Sequence, residues 1–240
     1  MKKFLFISFF SLMSLFAKDG IKQEIDAGFI ATTGNSDSST VSAEYRLEYI
    51  LKNKTEVKFR ADMLYGKKDG ETSNERYRAN FNVKHYFKRN LFYYHEIYYL
   101  KNRFEGYKHQ INAGFGLGYK IIDREHELLL GLGGLVVRYN SYTSSDKDSE
   151  LLSFVKASMD YKYLFDKKNS FISRLYIMNN VEKSSDYEAG IYAKLSFKLN
   201  SKIAFTTGVE VKYDNMPPFK NGKRLYKTDT TTKVGITYFF

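Results

Sequence analysis

The 240-residue chain has no cysteine and no tryptophan, and only two prolines. Without cysteine, the fold contains no disulfide and no thiolate metal site, so it must be stabilised by other means. No Pro- or Ser-rich linker divides the sequence, so we expect one domain. After residue 20 no stretch repeats apolar residues at helical spacing, and we therefore expect no helix in the rest of the chain.

The amino terminus carries a short apolar stretch that follows two lysines. Two lysines precede an apolar run of roughly a dozen residues that ends at Ala17. A transmembrane helix needs about 20 apolar residues, and the charged Lys18 and Asp19 follow too soon. The pattern predicts a secretory signal peptide over residues 1–17 and an exported domain over residues 18–240.

The composition is basic and rich in aromatic residues. The formal net charge is +11, and 21 Tyr and 20 Phe coexist with a mean hydropathy of −0.46. A basic protein could bind nucleic acid, but here the charged residues alternate with aromatic ones instead of clustering. We therefore expect no nucleic-acid partner and favour strands with one apolar face.

Period-two alternation recurs along the chain and is typical of strands. In residues 77–84, for example, the odd positions are apolar or aromatic and the even positions are polar or charged. About twelve such segments are recognised, many longer than the roughly 9 to 11 residues that cross a bilayer at a tilt. They are residues 22–32, 38–51, 54–66, 74–88, 90–103, 109–121, 126–140, 150–165, 169–180, 187–199, 202–214 and 228–240.

Short turns alternate with longer polar loops, as in bacterial outer-membrane barrels. We predict an all-β fold: a transmembrane antiparallel up-and-down β-barrel of about twelve strands with both termini in the periplasm. Ten or fourteen strands are also compatible, because residues 90–103 and 126–140 alternate poorly.

A soluble β-sandwich is the alternative fold, with its apolar faces packed together. It is disfavoured because Tyr and Phe concentrate near strand ends, as interfacial girdles require. The last segment also alternates up to a terminal aromatic residue and resembles the signal that outer-membrane proteins present to their insertion machinery. The residues of that predicted signal are Val234, Ile236, Tyr238 and Phe240.

Several stretches, in their order and spacing, resemble the bacterial family known as domain of unknown function 481, whose members are often named salt-induced outer-membrane proteins. The resemblance implies the same location and fold and no particular activity; a role in salt stress rests on that name alone. The stretches are Thr33-Gly34-Asn35-Ser36-Asp37, Asp69-Gly70-Glu71-Thr72, Glu75-Arg76-Tyr77-Arg78-Ala79, Asn102-Arg103-Phe104-Glu105-Gly106-Tyr107, Gly114-Phe115-Gly116-Leu117-Gly118-Tyr119 and Asp229-Thr230-Thr231-Thr232-Lys233-Val234-Gly235-Ile236.

Ten charged residues on three consecutive predicted strands share the inward parity. They form either a pore lining that selects polar solutes or an ion-pair network that fills the barrel. We favour the filled interpretation for this wall, because opposite charges are expected to face one another across neighbouring strands. The ten candidate lumen residues are Glu44, Arg46, Glu48, Glu56, Lys58, Arg60, Asp62, Arg76, Arg78 and Lys84.

The opposite wall is expected to be different. Gly114, Gly116 and Gly118 share inward parity, and Gly131, Gly133 and Gly134 follow on the next strand. Missing side chains leave space in the lumen, admit aromatic rings from across it, or permit sharp bending of the strands, and bending is the simplest of these explanations. A lumen with one charged and one bare wall is also compatible with a small channel.

Catalysis and metal binding have little support in the sequence. A lipid hydrolase is the enzymatic alternative and would need a serine, a base and an orienting group on the outer face, but no G-x-S-x-G segment occurs. No cluster has metal-ligand spacing; two acidic loop segments could hold a surface cation, although a solvated loop is the simpler explanation. We predict no catalytic, cofactor or metal site. The four histidines are His85, His95, His109 and His126.

The sequence thus favours a monomeric outer-membrane barrel of a Gram-negative bacterium, acting as a narrow passive pore for small polar solutes or as a structural envelope protein. Expected partners are outer-membrane lipids, lipopolysaccharide phosphates bound by basic loops, and the insertion machinery. Ordinary loop solubility explains the basic loops equally well.

A closed barrel in a membrane should show characteristic behaviour in detergent. We expect the mature chain to require detergent for extraction and to change its mobility in gel electrophoresis when it is boiled, because a closed barrel resists unfolding by detergent. A chain that stays soluble without detergent and migrates identically with and without boiling would contradict the barrel.

Overall fold

The chain forms a closed antiparallel barrel of twelve long strands in the computed structural model. The structure describes residues 20–33, 38–51, 54–68, 71–144, 147–220 and 223–240; the predicted signal peptide lies outside them. The barrel strands are β1 (Ile21–Thr33), β2 (Ser38–Leu51), β3 (Thr55–Lys68), β4 (Glu71–Tyr86), β5 (Leu91–Asn102), β6 (Tyr107–Asp123), β7 (Glu127–Tyr142), β8 (Glu150–Leu164), β9 (Asn169–Asn180), β10 (Tyr187–Lys198), β11 (Ile203–Asp214) and β14 (Thr228–Phe239).

Each barrel strand pairs with its neighbours along the chain, and β14 pairs with β1 to close the ring. Two short strands, β12 (Phe219–Lys220) and β13 (Lys223–Arg224), form a separate hairpin within the last connection. The predicted fold of twelve strands is confirmed, and the predicted strand bounds differ from the observed ones by at most three residues. No helix within the described ranges could span a membrane.

Polar side chains shape two of the short turns. Asp166 Oδ1 accepts hydrogen bonds from the backbone N–H groups of Lys168 and Asn169, at 2.5 and 2.7 Å. These backbone bonds hold the pKa of the Asp166 carboxyl below its usual value, because they favour the ionised form. Asn200 accepts from Lys202 and Ile203 in the same way. Asp and Asn, which stabilise chain reversals by local hydrogen bonds, therefore occur at the turns between these strands.

The apolar row of each strand faces outward. On β6, Ile111, Phe115 and Leu117 are 42, 53 and 59% exposed, whereas interior groups such as Gln110 are almost completely buried. In water such an outer face would be costly, at roughly 25 cal/mol for each Å² of apolar surface. The barrel is therefore built to be surrounded by an apolar phase.

Strands β5 and β7 depart from alternation because their inward faces also carry apolar residues. Phe92, Tyr94 and Leu100 of β5 point inward and are 3% exposed or less. Three buried clusters follow this side of the interior: Tyr86, Phe92, Tyr94 and Leu130; Leu100, Tyr107 and Tyr142; Val136, Phe154 and Met178. One part of the interior is thus packed like the core of a soluble protein.

The inward glycines of β6 and β7 accommodate these rings, so side chains cover this wall. A methyl group on Gly118 would collide with the ring of Phe92, and one on Gly134 would lie 2.7 Å from the hydroxyl oxygen of Tyr94. Both rings come from β5, the strand beside β6, and not from across the barrel. The glycines on this wall leave room for the aromatic side chains of the neighbouring strand.

Two pairs of facing glycines bring neighbouring backbones unusually close. Gly116 lies opposite Gly134, and Gly28 lies opposite Gly235. A methyl carbon on Gly116 would lie 2.7 Å from the Cα of Gly134, and one on Gly235 would lie 2.9 Å from the Cα of Gly28. Only glycine permits such an approach, which is how barrels form corners. We call these two pairs the glycine corners.

The glycine corners lie six strands apart in a ring of twelve, at opposite ends of one diameter. Corners placed in this way flatten the cross-section. The two long walls of the barrel are then β1 to β6 on one side and β7 to β11 with β14 on the other, and they face each other across a narrow lumen.

Substitution of a corner glycine is expected to destabilise the barrel. Gly116→Ala places a methyl group against the backbone of Gly133 and Gly134, which cannot move aside as a side chain could. We expect the free energy of unfolding in a urea titration in detergent micelles to fall by about 1–3 kcal/mol.

Gly133→Ala is the matched control, because no atom lies within 4 Å of the added methyl group. It is expected to leave stability unchanged or to raise it by about 0.4–1 kcal/mol, since alanine restricts the unfolded chain. Equal effects of the two substitutions would argue against the corner.

Candidate functional site

All ten predicted lumen residues lie on the inward rows of β2, β3 and β4. The register differs in detail from the expectation that opposite charges face one another. Glu44 lies opposite Asp62, and Arg46 lies opposite Arg60, so two rows pair like charges. Elsewhere the expectation holds: Asp62 lies opposite Arg78, and the pairs Glu48–Lys58 and Glu56–Lys84 also face each other.

Carboxylates around the like-charged rows neutralise them. Arg60 Nη2 lies 3.0 Å from Glu44 Oε2, its diagonal neighbour on β2. Arg46 lies 2.6 Å from Glu44 on its own strand and 2.7 Å from Glu24, which faces it on β1. The charged wall is therefore an interlocked network, and Glu44 is 6% exposed within it.

The network continues across the lumen. Arg78 Nη1 on β4 lies 2.9 Å from both carboxylate oxygens of Glu210 on β11, while its Nε donates to Asp62 at 2.9 and 3.0 Å. The guanidinium of Arg60 on β3 lies 5.6 Å from the ring centre of Tyr192 on β10. The Arg78–Glu210 and Arg60–Tyr192 contacts join the two long walls, as expected if the glycine corners flatten the barrel.

Further ion pairs cross the lumen on the side of the short turns and at mid-height. Lys84 on β4 lies 3.7 Å from Asp160 on β8, and Lys156 on β8 pairs with Glu96 on β5. The β5–β8 contact and the β3–β10 contact join strands that are placed symmetrically about the diameter through the corners. The lumen is bridged at several levels.

A charged cavity with room for a few water molecules remains among these side chains. It contains three of the predicted arginines, and four further charged residues from the opposite wall and from β1 complete it: Asp26, Lys194, Glu210 and Lys233. The full lining is Asp26, Ser42, Glu44, Arg60, Asp62, Arg76, Arg78, Tyr192, Lys194, Thr206, Thr207, Gly208, Val209, Glu210, Thr231 and Lys233.

The prediction from sequence missed Asp26, Lys194, Glu210 and Lys233. Asp26 is 2% exposed, lies 2.6 Å from Lys233 Nζ and 3.4 Å from Lys194 Nζ, and accepts hydrogen bonds from Thr206 and Thr237. Inward parity on their own strands was the available signal. The sequence could not show that flattening of the barrel brings these strands against β3 and β4.

Loops narrow the end of the barrel opposite the short turns, which we call the loop end. Pro217 and Pro218 of the last connection are buried, and Pro218 packs against Gly106 of the β5–β6 turn. Glu105 in the same turn accepts a hydrogen bond from Asn102 Nδ2 at 2.7 Å and lies 4.0 Å from Lys212 Nζ. Burial raises the pKa of the Glu105 carboxyl, and the Lys212 charge opposes that rise.

The histidines stand outside this network. His85 Nδ1 lies 2.8 Å from Thr55 Oγ1, and His109 Nδ1 lies 3.0 Å from the hydroxyl oxygen of Tyr99, both on the outer face. These partners are a threonine and a tyrosine, not the serine that the hydrolase alternative requires. Within the described ranges, no three His, Asp or Glu side chains are grouped to hold a metal ion.

The fold places the protein in the class of closed antiparallel barrels to which outer-membrane porins and channels belong. The NanC porin is similar with a TM-score of 0.55 and 9% identity, over 89% of this chain and 98% of that chain. The COG4313 outer-membrane channel from Pseudomonas putida F1 has a TM-score of 0.57 and 12% identity, over 92% of this chain and 96% of that chain. At these identities the likeness concerns the fold.

The chain belongs to the family described as protein of unknown function, DUF481, whose model matches residues 25–240. The family suggested by the sequence motifs is thereby confirmed. No curated protein matches the sequence.

A deeply buried ion pair of the lumen allows a test of stability. Arg138 on β7 and Glu188 on β10 are both 3% exposed, and Arg138 also donates to Asn112 and lies over the ring of Phe154. Arg138→Met leaves the Glu188 carboxylate buried without its partner, so the free energy of unfolding measured in urea is expected to fall by about 3–5 kcal/mol.

Arg103→Met provides the comparison, since the Arg103 side chain is 62% exposed and lies 3.9 Å from Glu75. A surface pair of this kind is expected to contribute about 0–1 kcal/mol. Adding Glu188→Gln to Arg138→Met should recover part of the loss; no recovery would mean that packing on Phe154, not the charge, is the dominant contribution of Arg138.

Proposed function

We propose that the protein is a narrow passive pore for small polar solutes in the outer membrane of a Gram-negative bacterium, and not an enzyme. The observation that carries this proposal is the charged cavity between the two long walls of the lumen. The likeness of the fold to the NanC porin and to the COG4313 channel agrees with this function.

The outer face supports the proposed location. Val234, Ile236, Tyr238 and Phe240 all point outward and are 36 to 55% exposed, as residues in contact with lipid and insertion machinery would be. Because β14 pairs with β1, no barrel strand leaves an open edge, and a monomer is sufficient. Export through a signal peptide over residues 1–17 belongs to the same proposal.

Orientation and lipid contacts follow from the connections. We place the short turns and both termini in the periplasm, and the loop end at the cell surface, because surface loops of such barrels are the longer ones. The basic residues of the loops then meet the phosphates of lipopolysaccharide. The narrowing of the loop end by Pro217 and Pro218 would restrict entry from outside.

The constriction of the pore is the bridge from Arg78 to Glu210. It joins β4 to β11 through a guanidinium that two carboxylates hold in place. A bridge of this kind obstructs the lumen and also fixes its local charge, so solutes would pass beside it and not through an open tube. Such side-chain constrictions determine the conductance of narrow pores.

Removing the bridge is expected to enlarge the pore. Arg78→Gln frees Glu210 and shortens the side chain that crosses the lumen, so single-channel conductance in planar bilayers should rise and selectivity should shift towards cations. Lys183→Gln, which removes a charge from an exposed loop residue, serves as the control and should leave both quantities unchanged.

The outcome that contradicts the pore is electrical silence. If the wild type and Arg78→Gln both insert, change mobility on boiling and conduct no current, the ion pairs serve stability alone and the protein is a structural envelope barrel. Unchanged conductance in a conducting Arg78→Gln variant would instead place the constriction elsewhere.

A further inference from the structure

The lumen cavity contains a guanidinium group whose hydrogen-bonding capacity is not fully used. Arg76 on β4 lines the cavity, and its side chain is 7% exposed. Its Nε is buried without a hydrogen-bond partner among the described residues, and its Nη2 lies 3.8 Å from Asp62 Oδ2, beyond hydrogen-bond range. Since an unmet buried donor is costly, a water molecule or an ion is expected to satisfy it.

The contrast with Arg78, two residues further along the same inward row, explains why Arg76 is left with an unmet donor. Arg78 Nε takes both oxygens of Asp62, at 2.9 and 3.0 Å, and its Nη1 takes both oxygens of Glu210 at 2.9 Å. Asp62 and Glu210, which line the cavity together with Arg76, are therefore engaged by its neighbour. Within the described part of the chain, the ion pair of Arg76 is the 3.8 Å contact with Asp62.

The balance of charge in the cavity also favours an anion. The lining has five cationic side chains, Arg60, Arg76, Arg78, Lys194 and Lys233, against four carboxylates, Asp26, Glu44, Asp62 and Glu210. The Nε of Arg60 is likewise buried without a hydrogen-bond partner among the described residues. A water molecule would satisfy a donor but leave the excess positive charge, whereas a singly charged anion would meet both requirements.

We infer that Arg76 is the centre of an oxyanion-binding site in the lumen, and that the solutes concerned carry a carboxylate, sulfate or phosphate group. The planar guanidinium fork matches the geometry of such groups and binds them with two parallel hydrogen bonds. The inference rests on the proposed pore for its physiological meaning, because it names the class of solute that would pass. Binding itself requires only that the lumen is accessible.

The test measures binding of inorganic sulfate to the full mature protein in detergent micelles. Sulfate is exchanged for chloride at constant ionic strength, and binding is followed by calorimetric titration and by the shift of the unfolding midpoint, since a ligand that binds only the folded state stabilises it. We expect saturable binding that Arg76→Gln weakens by about tenfold or more, as for loss of a charge-assisted hydrogen-bonded contact.

Two further variants separate the site from general charge and from folding. Arg174→Gln removes another inward arginine, which pairs with Asp160 and does not line the cavity, and should leave sulfate affinity unchanged. Arg76→Lys keeps the charge but loses the fork, so its affinity should fall between those of the wild type and Arg76→Gln. If Arg76→Gln does not fold, Arg76→Lys carries the test, and unchanged affinity in it overturns the site.

The site is also overturned if the wild type shows no saturable binding, or if Arg76→Gln, folded as judged by its change in mobility on boiling, binds sulfate as tightly as the wild type. These failures are distinguishable from failure of the pore. Sulfate binding that depends on Arg76 in a protein that conducts no current would leave the site and overturn the pore. A protein that conducts current but binds sulfate with an affinity that does not depend on Arg76 would overturn the site and leave the pore.

Discussion

The close backbone approach at the two glycine corners is the constraint on which the rest of this structure depends. Gly116 faces Gly134 and Gly28 faces Gly235, at opposite ends of one diameter. A circular barrel of twelve strands would hold its walls too far apart for an arginine and a glutamate to meet directly. Flattening brings β4 against β11 and β3 against β10, and the lumen becomes a place where side chains from opposite walls make contacts.

The interior combines two ways of filling space. On β5 to β9, aromatic and aliphatic side chains pack into the room left by inward glycines, as Phe92 does over Gly118. On β1 to β4 and the facing strands, charged side chains form ion pairs. Burying charges is expensive, and their mutual attraction repays the cost only when geometry and further hydrogen bonds are good. The apolar clusters supply stability without that cost, although ion pairs such as Arg138–Glu188 and Lys156–Glu96 also involve strands β5 to β9.

Much of the fold could be predicted from the sequence because a barrel in an apolar phase leaves a strong local signal. Outward rows must be apolar, so alternation in segments such as residues 77–84 determined both the strands and the parity of Arg76, Arg78 and Lys84. The signal weakened in β5, where Phe92 and Tyr94 point inward, because core packing and lipid contact require the same residue types. Alternation therefore reports which face a residue occupies only when the two faces differ.

The candidate site was harder to predict, because it depends on register and on the shape of the cross-section, and neither is a local property. Parity placed Glu44 and Asp62 on the same side of the sheet, but only the register shows them directly opposite each other, so that arginines must neutralise them from the next row. Parity likewise treats Arg76 and Arg78 as equivalent. Their environments diverge because Glu210, from the opposite wall, reaches Arg78 at 2.9 Å and so completes its partners, while Arg76 keeps an unmet donor. Arg78 bridges the lumen, whereas Arg76 keeps a donor that can bind a solute. This difference originates in the shape of the barrel, because only a flattened lumen brings a carboxylate of the far wall within reach of one of the two arginines.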